Sequence, residues 1–298
     1  MFEAIKSLPG RIRKNWKPFR SRLMTLWGRV AAVLGILLSF FTWEDLRPLS
    51  ARQRLLMLLG IAMILALFSL VWVLRQNVRR IAGREGCGVT LEYGDVLRRA
   101  RTDRGQRTIV VIPVNRCFDM TTEENLVNPS AVHGQWLAEY ASTPQARSRV
   151  ETQIFRSLET QQAEHVHLTR RQKAHGHLER YAPGTIAELP GPGNVTFYLL
   201  ALAEFNRDLS VNCSESDFYQ VVQSLLEYYS AHGQSAELYC PLMGDHIVEP
   251  ARDSRDVLAL MLSILTFNRQ KIHGNIHVVV YDQRKDDISI ASFQEKDG

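Results

Sequence analysis

The sequence predicts a layered domain of strands and helices, either α/β or α+β, that follows an N-terminal pair of hydrophobic helices. Three observations lead to this prediction. Two long apolar segments lie between residues 23 and 74, short β-branched runs begin at residue 88, and amphipathic helical segments alternate with those runs. Alternation of strands and helices is typical of layered folds that bury a sheet under helices.

The N-terminal arm contains two segments that we expect to be transmembrane helices. Residues 55–74 contain no charge, and about 20 apolar residues are enough to cross a bilayer. Residues 23–43 are interrupted by Arg29. This segment could be a second transmembrane helix, an interfacial helix or a signal peptide. We prefer the transmembrane helix, because no small-residue cleavage site follows Trp43.

Charge is distributed unevenly along the chain. Residues 1–84 hold 15 Lys and Arg against three acids, whereas residues 85–298 hold 21 against 28. The larger part is therefore acidic, and release of counterions would not favour its binding to nucleic acid. Basic residues before the first hydrophobic segment and after the second one place both flanks in the cytoplasm.

The remaining chain supplies the strands and helices of one domain. We predict strands at 89–93, 108–114, 184–189, 194–206, 236–243 and 275–282, and helices near 130, after 145, over 214–232 and over 255–267. The helix over 214–232 has the clearest limits. Ser214 with Asp217 resembles a capping box at its start, and Gly233 stands at its exit.

Polar residues follow three predicted strands, at Gly94 and Asp95, at 115–119, and at 244–246. Ligands of open α/β sheets bind beyond the carboxyl ends of strands. The second and third of these segments also run into helix starts, whose free N–H groups bind anions. A carboxylate could accept the amine of an adenine, and Asn115 could contact ribose hydroxyls. Each residue could equally serve as a turn or a cap.

Six segments, "EYGDVL", "VIPVNRCFD", "NPSAVHGQW", "APGTIAEL", "FYLLALAEFN" and "CPLMG", resemble the macro domain of Thoeris bacterial anti-phage effectors. Together with the two hydrophobic segments, the chain resembles the membrane-anchored effector of type II systems. The resemblance implies a three-layer α/β/α macro fold with a mixed sheet. It also implies a basic cytoplasmic segment at 1–22, transmembrane helices within 23–75, a basic linker at 76–87, the macro domain at 88–285 and a tail at 286–298.

The resemblance also implies the ligand site. Asp95 would contact adenine, Asn115 would lie by the distal ribose, and two loops would hold the diphosphate. The full set of implied ligand-binding residues is Asp95, Val96, Asn115, Phe118, Asp119, Ser130, His133, Gly134, Leu242, Gly244, Asp245 and His246. An acidic group of Asp119, Glu123 and Asp245 would suit a ligand that bears an amine.

Phe118 stands where hydrolytic macro domains carry a second asparagine. A ring can stack on a ligand but cannot orient a water molecule. We therefore expect a sensor with no catalytic residue, no metal and no cofactor apart from an ADP-ribose-derived ligand. Two alternatives remain: a membrane-tethered ADP-ribosyl hydrolase with Asp119 or His133 as its base, and a membrane scaffold whose pocket is vestigial.

The implied partners are a TIR-domain enzyme that consumes NAD, the lipid bilayer, and further copies of this chain. The enzyme would release histidine linked to ADP-ribose as a diffusible messenger. Binding of the messenger would drive oligomerisation and membrane disruption, which aborts the infection. We expect a multi-pass protein of the bacterial inner membrane, with its N-terminus and macro domain in the cytoplasm.

Two further groups of residues could carry chemistry. The four cysteines are far apart and contain no CxxC pair, which favours reduced thiols. His165, His167, His175 and His177 invite a metal-site interpretation. No carboxylate or thiol stands at a convincing spacing from them, so we prefer a solvated insertion.

Overall fold

The computed structural model describes residues 16–38, 50–84, 86–101, 105–206, 210–233, 236–245, 247–248 and 253–293. Its contacts divide the chain into two compact units. The first comprises residues 1–77 with 289–294, and the second comprises residues 78–288 with 295–298.

The described part of the first unit contains two helices, α1 (Trp16–Leu38) and α2 (Ala51–Arg75), which pack on each other. Helix α2 begins at a capping box, in which Oγ of Ser50 accepts from the Gln53 N–H and Oε1 of Gln53 accepts from the Ser50 N–H. Within the described ranges, no helix combines the length and apolar character needed to cross a membrane. The predicted transmembrane spans are therefore not confirmed, and residues 39–43 and 1–15 of the predicted segments lie outside the described residues.

The second unit is built on a mixed sheet. Its strands are β1 (Val78–Arg84), β2 (Cys87–Gly94), β3 (Thr108–Asn115), β6 (Ile186–Pro190), β7 (Val195–Phe205), β8 (Val211–Asn212), β9 (Glu237–Pro241) and β10 (Asn275–Tyr281). The order is β1-β2-β10-β9-β3-β7-β6, and β8 pairs with β7. Strands β2, β10, β9, β3 and β7 are parallel, whereas β1, β6 and β8 pair antiparallel. All six strands predicted from the sequence are confirmed.

Strand β1 occupies most of the segment predicted as a basic linker. It pairs antiparallel with β2, from Val78 opposite Glu92 to Arg84 opposite Cys87. Its Ile81 and Ala82 are buried. The linker prediction was wrong because the arginines of this edge strand make its composition basic although two of its residues are core residues. Local composition also gives no sign of its pairing with β2.

Helices cover both faces of the sheet. Helices α3 (Val96–Arg101), α4 (Val132–Tyr140) and α5 (Pro144–Thr160) bury residues in one core with alternate residues of β3 and β7. Helices α6 (Glu215–His232) and α7 (Ser254–Phe267) pack together, and α6 lies against β7. The ring of Tyr198 contacts Tyr228 of α6, while its neighbours in β7 face the first core. The prediction of three layers around a mixed sheet is confirmed.

Shorter elements complete this unit. Strands β4 (His165–His167) and β5 (Glu179–Tyr181) form a separate two-stranded sheet. Turns of 3₁₀-helix lie at Glu123–Asn125, Arg269–Lys271, Asp282–Arg284 and Ile290–Ser292, the last of which belongs to the first unit. The predicted helix over 214–232 is confirmed, and its cap is the Ser214 hydroxyl, which accepts from the Asp217 N–H at 3.0 Å.

Candidate ligand-binding site

A cavity of about 400 Å³ lies at the carboxyl ends of the five parallel strands. Its lining includes the last residues of β2, β10, β9 and β3, together with Ala203 and Phe205 of β7. Because neighbouring strands are about 4.8 Å apart, five of them in a row span roughly 19 Å. The cavity therefore has the size of an ordinary ligand pocket and room for an elongated ligand.

Asp95 marks one end of this row of strands. It follows β2, and its Oδ1 accepts from the Leu97 N–H at 2.9 Å, which caps α3. Asp95 and Val96 both line the cavity. One carboxylate oxygen is thus committed to the helix, and the group as a whole faces the site with a negative charge.

Asn115 organises the tip of β3 through its own side chain. Its Oδ1 accepts from the N–H groups of Cys117 at 3.0 Å and Asp119 at 3.3 Å. Its Nδ2 donates to the Leu126 carbonyl at 3.5 Å. Asn115 lines the cavity and is 8 % exposed. The side chain of Asn115 therefore stabilises the turn at the tip of β3. One N–H of its amide remains for a ligand.

Phe118 and Asp119 do not line the cavity, although both were predicted there. Phe118 has a left-handed backbone (φ +52°). Its fully buried ring packs edge-on against the ring of Tyr181, with 5.4 Å between the ring centroids. Asp119 is buried in an ion pair with Lys173 at 2.6 Å. The turn that Asn115 holds directs both side chains into the protein and away from the cavity.

Helix α4 begins at the cavity, and its first residues Val132 and His133 line it. Its N-cap, Ala131, offers no side-chain cap. Among the described residues, the N–H groups of Val132, His133 and Gly134 have no backbone partner, and the first bond of the helix runs from Gln135 to Ala131. Three free N–H groups and the dipole of the helix favour an anion at this position.

The three residues predicted on this loop have different environments. Ser130 and His133 line the cavity, and burial lowers the pKa of His133 to about 3. Gly134 does not line it. A Cβ there would lie 2.3 Å from the Asn128 carbonyl oxygen, so Gly134 is needed for the close approach of the loop to α4.

The loop after β9 supplies another side of the site. Leu242, Gly244 and Asp245 line the cavity, and His246 lies outside the described residues. Gly244 has a left-handed backbone (φ +74°), and its carbonyl accepts from the N–H groups of Ile247 and Val248. The turn therefore requires a glycine for its conformation and not only for space.

Asp245 is not a free acidic group. Its carboxylate binds the guanidinium of Arg284 and the hydroxyl of Ser254, and Arg284 also donates to Ser254 at 2.6 Å. Arg284 itself lines the cavity. The pairing brings a positive charge to a loop where the sequence predicted only a negative one.

The end of the cavity opposite Asp95 is apolar. It is lined by Leu126, Leu202, Phe205 and Val211. The predicted acidic group is not formed, because Asp119 is buried with Lys173, Asp245 is paired with Arg284, and Glu123 does not line the cavity. This end suits a flat or apolar group better than an ammonium group.

Sequence reasoning missed two positively charged residues, Arg284 and Lys173, which pair with the carboxylates of Asp245 and Asp119. Arg284 lies three residues after β10, so the rule that drew attention to Asn115, polar residues beyond a buried strand, would also have found it. Lys173 is completely buried. No local pattern marks it, because its partner is 54 positions away.

The four clustered histidines do not converge on one point. His167 pairs with Glu179 at 3.2 Å, His175 with Glu124 at 2.7 Å, and Nδ1 of His177 lies 3.3 Å from the Cys117 carbonyl. In the described part of the chain, no group of three or more potential metal ligands comes together. All four cysteines are free, as predicted.

Comparison with known proteins places this architecture in a family. A family model described as the macro domain of Thoeris protein ThsA matches residues 89–281. The chain belongs to the Thoeris ThsA macro-domain family. The match covers the strands from β2 to β10 and both cavity-lining loops, so the macro fold predicted from the sequence is confirmed.

Similar proteins include one curated relative and several solved structures. Thoeris protein ThsA of Bacillus amyloliquefaciens (strain Y2) is 20 % identical over 287 residues, which cover 93 % of this chain and 90 % of that protein. The Oceanobacillus iheyensis macrodomain with ADP is 14 % identical, with a TM-score of 0.44 over 70 % of this chain and 90 % of that one. A Bacteroides thetaiotaomicron protein is 11 % identical, with a TM-score of 0.37 over 68 % and 99 %.

Proposed function

We propose that this Thoeris macro domain binds an ADP-ribose-type messenger and thereby switches on a non-catalytic effector. The observation that carries the proposal is the elongated cavity, in which a carboxylate, a helix N-terminus and an apolar end follow one another along the strand ends. An adenosine diphosphate linked to a second ribose has its groups in the same order.

Each region of the cavity suits one part of such a ligand. Asp95 can accept the exocyclic amine of adenine. The free N–H groups at the start of α4, together with Arg284, suit a diphosphate. Asn115 and the apolar side chains beyond it suit a distal ribose that bears a flat, weakly polar substituent. The imidazole ring of histidine–ADP-ribose would lie at this end, with the amino and carboxylate groups of the histidine directed out of it.

Binding is favoured over hydrolysis by the state of the two candidate bases. Asp119 is buried away from the cavity in its pair with Lys173. His133 does line the cavity, but burial lowers its pKa to about 3. A general base works best when its pKa lies near the operating pH, so a histidine with so low a pKa is a poor one.

The proposal also includes the enzyme that makes the messenger and the effect of the activated protein on the membrane. A TIR-domain enzyme that consumes NAD would supply histidine–ADP-ribose. Oligomers of this chain would then disrupt the bacterial inner membrane, with the macro domain on its cytoplasmic side. What supports a membrane output is a set of exposed apolar side chains on α2, namely Leu56, Leu59, Met63, Ile64, Leu67 and Phe68.

Calorimetric titration of the full-length protein with ADP-ribose and with histidine–ADP-ribose tests the proposed ligand binding. We expect both to bind, the conjugate more tightly, and neither to be converted to product. Asp95→Asn should weaken both by about tenfold, because it removes the charge but keeps the capping oxygen. Asp253→Asn is the matched control, since Asp253 caps α7 in the same way but does not line the cavity.

Failure of the wild-type protein to bind either compound would overturn the proposal, and release of product would replace it with hydrolysis. The membrane and oligomer steps are tested by fractionating cells that produce the protein and by measuring its oligomeric state with and without histidine–ADP-ribose. Recovery of the protein in the supernatant, with an unchanged mass when the compound is added, would contradict both steps. The proposed ligand site would not be affected by that result.

A further inference from the structure

The C-terminal segment, residues 282–293, belongs to both units of the chain. It follows β10 and stays in the second unit as far as Ile288. Residues 289–294 group with the N-terminal helices in the first unit, where the turn Ile290–Ser292 packs on α1. The segment therefore connects Arg284, which lines the cavity, to the unit that contains the helices.

Arg284 fixes the first part of this segment to the wall of the cavity. Its guanidinium binds the carboxylate of Asp245 and the hydroxyl of Ser254. Its main-chain carbonyl accepts from the N–H groups of Asp287 at 3.0 Å and Ile288 at 2.9 Å. A shift of Arg284 therefore also moves the acceptor that holds Ile288.

A tyrosine of the sheet holds the point at which the segment leaves the second unit. Oη of Tyr93, in β2, donates to the Ile288 carbonyl at 2.7 Å, and Ile288 is completely buried. The ammonium group of Lys285 lies 5.1 Å from the centroid of the Tyr93 ring. Tyr93 does not itself line the cavity. Its hydrogen bond restrains the segment immediately before the chain enters the first unit.

We propose that ligand binding releases the C-terminal segment and thereby changes how residues 289–293 pack on the N-terminal helices. The inference rests on the proposed function, in which Arg284 contacts a diphosphate. Negative charge in the cavity attracts Arg284 and repels the carboxylate of Asp245, which also lines the cavity, so it weakens their ion pair. Arg284 then moves toward the ligand, and the Ile288 carbonyl leaves Tyr93. A ligand shifts an equilibrium only when it interacts differently with the two states, and this ion pair supplies the difference.

The chain also passes between the two units at residues 77 and 78. There β1 follows α2 almost directly, and its pairing with β2, from Val78 to Arg84, fixes it to the sheet. None of the described residues of β1 lines the cavity. The C-terminal segment is therefore the connection that a ligand can move.

Hydrogen–deuterium exchange of the full-length protein, with and without saturating ADP-ribose, tests the inference by mass spectrometry. We expect the amides of residues 285–293 to exchange about fivefold faster, or more, when ADP-ribose is bound. Tyr93→Phe removes only the hydroxyl that holds Ile288. In this variant the segment should exchange fast without ligand, so ADP-ribose should add little. The Kd should be unchanged or lower, because binding no longer breaks this hydrogen bond.

Tyr228→Phe is the matched control. Oη of Tyr228 donates to the carboxylate of Glu188 at 3.2 Å, so the substitution also removes one hydrogen-bonded hydroxyl. Neither Tyr228 nor Glu188 lines the cavity or belongs to the C-terminal segment. The control should keep both the Kd and the ligand-dependent exchange of the wild type.

Each result decides the inference. Binding of ADP-ribose to the wild type with unchanged or slower exchange of residues 285–293 would overturn it and leave the proposed function in place. An undiminished effect of ADP-ribose in Tyr93→Phe would also overturn it. If that variant fails to fold, Asp245→Asn, which removes the charge that holds Arg284, should speed the exchange without ligand, and exchange at the wild-type rate counts against the inference. Failure of the wild type to bind ADP-ribose would defeat the proposed function, and the inference with it.

Discussion

The ammonium group of Lys173 donates to Oδ2 of Asp119 at 2.6 Å, and both side chains are buried. Oδ1 of the same carboxylate accepts from the His177 N–H at 2.7 Å, while Lys173 also donates to the His177 carbonyl at 2.8 Å. The two hydrogen bonds to Asp119 therefore fasten the segment that contains β4 and β5 to the tip of β3, and the third one lies within that segment. Neither residue of the pair lines the cavity.

Breaking this pair should destabilise the domain strongly. For Lys173→Met we expect a loss of about 3–5 kcal/mol in the free energy of unfolding, because a buried carboxylate is left without its countercharge. Asp119→Asn should also destabilise, and the double substitution should cost less than the sum of the two single ones. Urea unfolding followed by tryptophan fluorescence measures all three. Additive effects would contradict a direct interaction.

Asn115 should show a difference between its capping role and its role toward the ligand. Asn115→Ala removes the oxygen that accepts from Cys117 and Asp119, so it should destabilise the turn by about 1–2 kcal/mol. Asn115→Asp keeps that oxygen and removes the amide donor. We expect its stability to stay closer to the wild type while the Kd for ADP-ribose rises. Equal losses of stability in the two variants would show that the amide donor, too, is structural.

Stability should depend on pH through His133. Its pKa is about 3 in the folded protein and near 6.5 in an unfolded chain, so between these values the unfolded state binds a proton that the folded state does not. The free energy of unfolding should therefore fall by up to about 1.4 kcal/mol for each unit below pH 6.5. Urea midpoints from pH 7 to pH 4.5 for the wild type and for His133→Phe measure this contribution. Parallel curves would show that His133 does not titrate in this way.

Gly134 should tolerate no side chain. The Cβ of Gly134→Ala would meet the Asn128 carbonyl oxygen at 2.3 Å and Pro129 at 2.6 Å, both backbone contacts that cannot rotate away. We expect a lower Tm and weaker binding of ADP-ribose, because the start of α4 must shift. Gly60→Ala is the control, since Gly60 has no atom within 4 Å of its added Cβ. Alanine at Gly60 should be neutral or slightly stabilising, as in other helix interiors. Similar behaviour of the two variants would contradict the steric argument.

Much of the fold and part of the site followed from local sequence. The β-branched run of β3 predicts a buried strand at any position in a chain, and Ser214 with Gly233 limits α6 by capping chemistry alone. Asp95 and Asn115 could be expected at the site because polar residues beyond parallel strands meet at one edge of a sheet. These inferences need only the periodicity of the backbone and the chemistry of its ends.

By itself, the sequence determined six of the strands, the main helices, the family of the domain, and the residues that stand at the strand tips, but it did not identify β1. The tertiary structure decided where their side chains point. Phe118 turns into the core against Tyr181, 63 positions later, and Asp119 is held by Lys173. Arg284, 39 positions after Asp245 in the chain, pairs with it because β10 lies next to β9 in the sheet. The physical reason is that such contacts form only when segments far apart in the chain pack together. The interaction between two such segments does not produce a periodic pattern in the sequence of either one.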